Sequence, residues 1–138
     1  HTYKLYVEKH WNFDFEIEVT IKKISGDDNK WYGLLWGNKN IIHYHIGIKG
    51  NGQFAYTKNK SKQDMEIIYQ GESRYINKHN ALNKLTIRKI GNKIELYIND
   101  NLVHKAQFEG NTIGFKIYGK LKVEIDKITF CYLQDSVG

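Results

Sequence analysis

Between residues 83 and 130 the chain reads NKLTIRKIGNKIELYINDNLVHKAQFEGNTIGFKIYGKLKVEIDKITF, four strand-like runs separated by short Gly/Asn turns. Leu85 and Ile87, then Ile94, Leu96 and Ile98, then Val123, Ile125 and Ile128 fall at alternate or nearly alternate positions. Successive side chains of an extended chain point to opposite faces, so this spacing is what one half-buried sheet face requires. The stretch predicts an antiparallel meander with turns at Gly91-Asn92, Asn99-Asp100-Asn101 and Gly119-Lys120.

The same period continues upstream. In residues 13–23, FDFEIEVTIKK, Phe13, Phe15, Ile17, Val19 and Ile21 face one way and Asp14, Glu16, Glu18, Thr20 and Lys22 the other. A loop, SGDDNK, leads to the strand WYGLLWG and then to a hairpin, IIHYHIGIKGNGQFAYTK, whose Asn51-Gly52 pair suits positive backbone angles. Residues 59–80 are less regular, with MEIIYQ as a short strand, and at most one turn near KHNALNK is helical. Ten or so strands with turns every 8 to 12 residues predict an all-β, two-sheet antiparallel sandwich or a closed barrel.

A chain of 138 residues fits one domain, residues 1–138, able to bury a core without disulfides. It opens at His1 in a strand-like segment, HTYKLYV, with no signal-peptide pattern, as a domain excised from a larger protein would. No run of about 18 apolar residues is present, so no membrane-spanning helix is expected. The single cysteine, Cys131, ends an apolar strand pattern and reads as a buried, inert thiol.

The formal charge of +6 raises the question of nucleic acid. Almost all of it is Lys, with only Arg74 and Arg88 to supply the planar forks that base and phosphate contacts favour. The lysines alternate with apolar positions, as solvated strand faces and protected edges require, and no RNP-type aromatic pair or Gly-rich phosphate loop accompanies them. No nucleic-acid partner is expected.

The pattern N-x-L-x-I-x-K-x-G-N-x-I-x-L-Y-I-N over residues 83–99 resembles bacterial concanavalin A-like, laminin G-like jelly-roll domains. Phe108-Glu109-Gly110 with Ile113-Gly114-Phe115, and Val123-Glu124-Ile125-Asp126-Lys127-Ile128, are similar to the closing strands of that fold. The likeness implies two curved sheets with a concave face or rim as the default site, and a secreted, periplasmic or cell-surface setting. Its members include carbohydrate-binding modules, interaction domains and glycoside hydrolases, and a shared fold does not choose among them.

Three constellations carry candidate chemistry. Asp14, Glu16 and Glu18 share a strand face, about 7 Å between neighbours, a range at which glycosidases place paired carboxylates. The related hydrolases carry E-x-D-x-E or E-x-D-x-x-E, whereas this chain has D-x-E-x-E, which would move both reacting groups. His43 and His45 flank Tyr44 and can hold a divalent metal only if a carboxylate such as Glu16 or Glu18 joins them from an adjacent strand. Asp27 and Asp28 offer loop oxygens to calcium, but a hard cation needs about six or more. No cofactor is otherwise expected.

In WYGLLWG, alternation sends Trp31 one way and Tyr32 and Trp36 the other, so at least one aromatic should leave the core. The apolar C–H face of a sugar packs on such a ring while nearby polar groups satisfy its hydroxyls. Trp31, His43, His45 and Trp11, with Glu16 and Glu18, are the expected ligand-binding residues. The reading is a non-catalytic recognition module for a glycan or polysaccharide, appended to a larger secreted or surface protein. A structural or protein-interaction domain contacting a neighbouring domain is the alternative, and a small glycoside hydrolase using Asp14, Glu16 and Glu18 a further one.

Overall fold

The computed structural model describes residues 14–37, 42–61, 64–107 and 112–133. Ten strands run in chain order: β1 (Phe15–Ser25), β2 (Tyr32–Gly37), β3 (His43–Ile48), β4 (Gln53–Ser61), β5 (Asp64–Glu72), β6 (Leu82–Ile90), β7 (Lys93–Ile98), β8 (Asn101–Gln107), β9 (Thr112–Ile117) and β10 (Lys122–Tyr132). They form two five-stranded antiparallel sheets, ordered β10-β1-β6-β7-β8 and β5-β4-β3-β2-β9. The architecture is the expected all-β sandwich, and no helix occurs among the described residues.

Period-two patterning builds the core. On β1, Phe15, Ile17, Val19 and Ile21 are buried while Glu16, Glu18 and Thr20 between them stay partly exposed. Leu85 and Ile87 of β6 pair beside them and continue into Ile94, Leu96 and Ile98 of β7. Each such aliphatic side chain contributes roughly 1.5–3 kcal/mol by leaving water. The second sheet contributes larger groups: Trp36, Tyr44 and Tyr56 stack with centroids 5.7 to 6.2 Å apart. His104 of β8 meets Tyr56 and Tyr69 at 5.0 and 5.6 Å, which seats that edge of the first sheet over β4 and β5.

The stretch 83–130 departs from a single meander. Five strands occupy it: β6, β7 and β8 are consecutive neighbours, β9 crosses to the second sheet beside β2, and β10 returns beside β1. The Gly119-Lys120 turn therefore joins two sheets and closes no hairpin. The β7–β8 hairpin turns where expected, but on two residues, Asn99 and Asp100 at φ 48° and 69° as a primed turn requires, and Asn101 already belongs to β8. Residues 78–81 carry no helical turn and residues 82–84 already belong to β6.

Strand β10 also corrects two expectations. Ile125 and Ile128 are three apart, an odd spacing that a bulge between Thr20 and Ile21 absorbs, so that they pair with Ile21 and Val19. Both are nonetheless exposed, at 37% and 51%, because β10 is an edge strand. Cys131 is exposed rather than buried. Phe130 turns inward to stack on Phe15 at 5.6 Å, and alternation sends Cys131 outward beside Glu16.

At one end of the sandwich three loops close on a buried cation. Lys23, 1% exposed, donates from Nζ to Gly26 O at 2.7 Å, Asp28 Oδ1 at 2.8 Å and Asn80 Oδ1 at 2.6 Å. His79 Nδ1 lies 2.7 Å from Asp28 Oδ2, and His79 N donates to Gly50 O. Hydrogen bonds from His79 and Lys23 hold the Asp28 carboxyl below the usual carboxylate range. Asp28→Ala should lower the unfolding free energy by about 2–3 kcal/mol in urea melts at pH 7, since it strips a charged partner from a buried ammonium. The deficit relative to the parent should shrink below about pH 4, as the parent carboxylate itself takes up a proton and loses its contribution.

Candidate functional site

Sending Tyr32, Leu34 and Trp36 into the core turns Trp31, Gly33 and Leu35 outward, and Tyr44, Ile46 and Ile48 do the same for His43, His45 and Gly47. Across the outer face of the second sheet the register lines up Lys116, Gly33, Gly47 and Ala55 in one row and Gly114, Leu35, His45, Thr57 and Ile67 in the next. The first row is a trough with almost no side chains. Trp31 borders it on the other side, its carbonyl accepting the Tyr118 N–H at 3.0 Å.

The large neighbours lean into this trough. A methyl group on Gly47 would sit 2.5 Å from His45 Cε1, so the imidazole lies directly over the glycine. Tyr118 meets that ring edge-on, with centroids 5.9 Å apart and planes at 70°. Trp31, His45, Ala55, Thr57, Met65, Ile67 and Tyr118 line a recess of about 20 Å³. That volume holds roughly one water molecule, so a sugar ring has to lie over the recess while a single hydroxyl-sized group enters it.

Polar groups at the recess are underused. His45 Nε2 and Thr57 Oγ1 are buried and have no hydrogen-bond partner among the described residues, and the same holds for Asn59 Nδ2 one row further on. Burial, with a smaller contribution from the nearby Lys116 charge, holds the His45 imidazole down to about 3, so the ring is neutral at physiological pH. It then carries one donor and one acceptor nitrogen. Two cations flank the aromatics: Lys49 Nζ is 4.2 Å from the Trp31 ring centroid and Lys116 Nζ 4.7 Å from that of Tyr118.

The structure brings together only part of the expected set. Trp31 and His45 share the recess, and His43 lies two residues along the same face, opposite Gly37 and Asn59. Glu16 and Glu18 belong to β1 in the other sheet and sit on its outer face, across the sandwich from the histidines. They cannot complete a metal site with His43 and His45. Trp11 lies outside the described residues.

The carboxylates of β1 have other engagements. Asp14 Oδ1 accepts the Gly91 N–H at 2.8 Å and braces the β6–β7 turn. Burial, then a hydrogen bond with Glu18, raises the Glu16 pKa above its ordinary value. In the β1–β2 loop Asp27 Oδ1 caps the Asn29 N–H at 2.8 Å, and both Asp28 oxygens are taken by Lys23 and His79. The Lys23 ammonium thus occupies Asp28 Oδ1, one of the loop oxygens offered to calcium. Among the described residues no group of three or more His, Cys, Asp and Glu converges.

Tyr118, Thr57, Lys49 and the glycine trough escaped the reading of the sequence. Alternation from Trp31 through Gly33 and from His45 through Gly47 to Lys49 was available as a signal, whereas Tyr118 becomes a neighbour of Trp31 only through the β9 crossover.

No protein-family model matches this sequence, and no curated protein does. Solved structures share its fold. A carbohydrate-binding module, CBM66, from Bacillus subtilis superposes with a TM-score of 0.67 at 17% identity, covering 86% of this chain and 74% of that one. Sheep galectin-11 gives 0.67 at 5% identity over 94% and 97%. A GH16 protein of Bacteroides ovatus, solved with a G4G4G3G product, gives 0.64 at 12% over 89% and 71%.

The pH dependence of stability tests the burial of His45. Its lowered pKa means the unfolded chain binds a proton that the folded chain refuses between about pH 6.5 and 3, so stability falls as pH drops through that window. In His45→Gln the slope of unfolding free energy against pH between 4 and 6 should be shallower by up to about 1.4 kcal/mol per unit. Together with its neighbours, these structures identify the fold as a concanavalin A-like jelly-roll sandwich.

Proposed function

We propose that the protein is a non-catalytic carbohydrate-recognition module that binds through the outer face of its second sheet, carried by a larger secreted or cell-surface protein. One observation carries the reading: Trp31 and Tyr118 border a hydroxyl-sized recess where His45 Nε2 and Thr57 Oγ1 have no hydrogen-bond partner among the described residues. A saccharide offers both an apolar face for the rings and hydroxyls for the orphaned groups. The likeness to a carbohydrate-binding module and a galectin supports the same class.

A protein-interaction reading has its own observation. Met65, Ile67, Ile68 and Tyr69 of the edge strand β5 are 42–52% exposed. An apolar edge strand is a surface to which another chain can add. The hydrolase reading rests on likeness to GH16 and GH43 proteins, and two observations argue against it: the D-x-E-x-E order of the carboxylates and the engagement of Asp14 with the Gly91 N–H.

Calorimetric titration with a panel of soluble polysaccharides separates the three. At least one polysaccharide should bind without being cut, and Trp31→Ala should weaken it by about tenfold or more, the scale of one stacked ring. Glu16→Gln with Glu18→Gln should leave binding unchanged. Reducing-sugar release abolished by that double substitution would establish the hydrolase instead. Silence across the panel, with capture of a neighbouring domain, would establish the interaction module.

A further inference from the structure

We infer that the saccharide taken at this face is anionic, bearing carboxylate or sulfate groups that Lys49 receives; the inference rests on the carbohydrate-binding reading above. Lys49 is held rather than free to wander. Its ammonium sits 4.2 Å over the Trp31 ring, 3.1 Å from Asn29 Oδ1 and 3.5 Å from Gln53 Oε1. These partners are neutral, so they fix the charge in place without cancelling it. Glu72, which the register sets beside Gln53 on β5, makes no ion pair with Lys49.

The distribution of charge on the two outer faces points the same way. On the first sheet Glu16, Glu18 and Glu95 are interleaved with Lys84, Arg88 and Lys105 across β1, β6, β7 and β8, so opposite charges lie side by side. On the second sheet none of the seven residues lining the recess is a carboxylate, while Lys116 and Lys49 stand on either side of Gly33 and Trp31. The field of Lys116 reaches the recess, because it contributes to depressing His45.

Ligand chemistry follows. A neutral sugar stacking on Trp31 or Tyr118 would have to share each ring with an ammonium already lying on it. An acidic sugar gains from that ammonium instead, because a charge-assisted hydrogen bond replaces water at a cation whose geometry is already set. The net charge of +6 adds long-range attraction for a polyanion.

Matched pairs of polysaccharides test this. Polygalacturonate against its methyl ester isolates the carboxylate, and dextran sulfate against dextran isolates the sulfate, each titrated calorimetrically at a fixed physiological salt concentration. The acidic member of one pair should bind at least about tenfold more tightly than its neutral counterpart. Lys49→Gln should remove most of that advantage and Lys49→Arg should keep it. Lys127→Gln, an equal loss of charge at an exposed position on the other sheet, should change nothing. Equal binding of both members of each pair, still abolished by Trp31→Ala, would overturn the anionic class and leave carbohydrate recognition standing. A loss from Lys127→Gln as large as that from Lys49→Gln would overturn it as diffuse attraction. Failure of every polysaccharide, neutral or acidic, in this and the wider panel would remove the carbohydrate reading itself.

Discussion

The inner faces of the two sheets must be buried against each other, and on a strand every inward side chain obliges its neighbours to face out. That constraint makes the core and the candidate site two aspects of one arrangement. Tyr32, Leu34 and Trp36 fill the centre of the sandwich, so Trp31, Gly33 and Leu35 are delivered to the far side of the same strand. Tyr44 and Ile46 deliver His43, His45 and Gly47 in the same way. A one-residue slip of β2 or β3 would move Trp36 to the outer face or the His45 imidazole into the space between the sheets.

What shapes the outer face is the absence of side chains at Gly33 and Gly47. A methyl group at Gly33 would drive into the carbonyl oxygen of Ile46, and one at Gly47 would displace the His45 ring. The trough so formed lets two aromatic residues and a neutral imidazole approach one another, with ammonium groups on the rings. At the end of the sandwich a third ammonium plays a different part: Lys23, fully enclosed by Gly26, Asp28 and Asn80, ties loops that also position Lys49. Asn51 N donates to Asp28 O there and Lys49 reaches Asn29 in the same loop, so the cation cage and the rim of the recess share a support.

Much of this was legible in the residues and part was not. Alternation in β1, β6 and β7 identified the buried face residue by residue, and the aromatic pattern of WYGLLWG separated Trp31 from Tyr32 and Trp36. Pattern within a strand says nothing of which sheet receives it. Glu16 and Glu18 were grouped with His43 and His45, yet β1 and β3 lie in different sheets. Tyr118 joined the site through a crossover invisible to local periodicity. The apolar pattern of β10 predicts burial of Ile125, Ile128 and Cys131; an edge position overrides it for the two isoleucines, and alternation from inward Phe130 turns Cys131 out. Of the two loop aspartates, Asp28 meets a cation from within the chain, the Lys23 ammonium, while Asp27 caps the Asn29 N–H.

We place recognition on the outer face of the second sheet. Mapping amide and indole NMR shifts during titration with a bound oligosaccharide tests it most directly. Shifts concentrated at Trp31, Gly33, His45, Gly47, Lys49 and Tyr118, with β1 and β6 unmoved, are the expected result. Shifts centred on Glu16, Glu18, Thr86 and Arg88, with Trp31 and Tyr118 silent, would place the site on the opposite sheet and contradict the account.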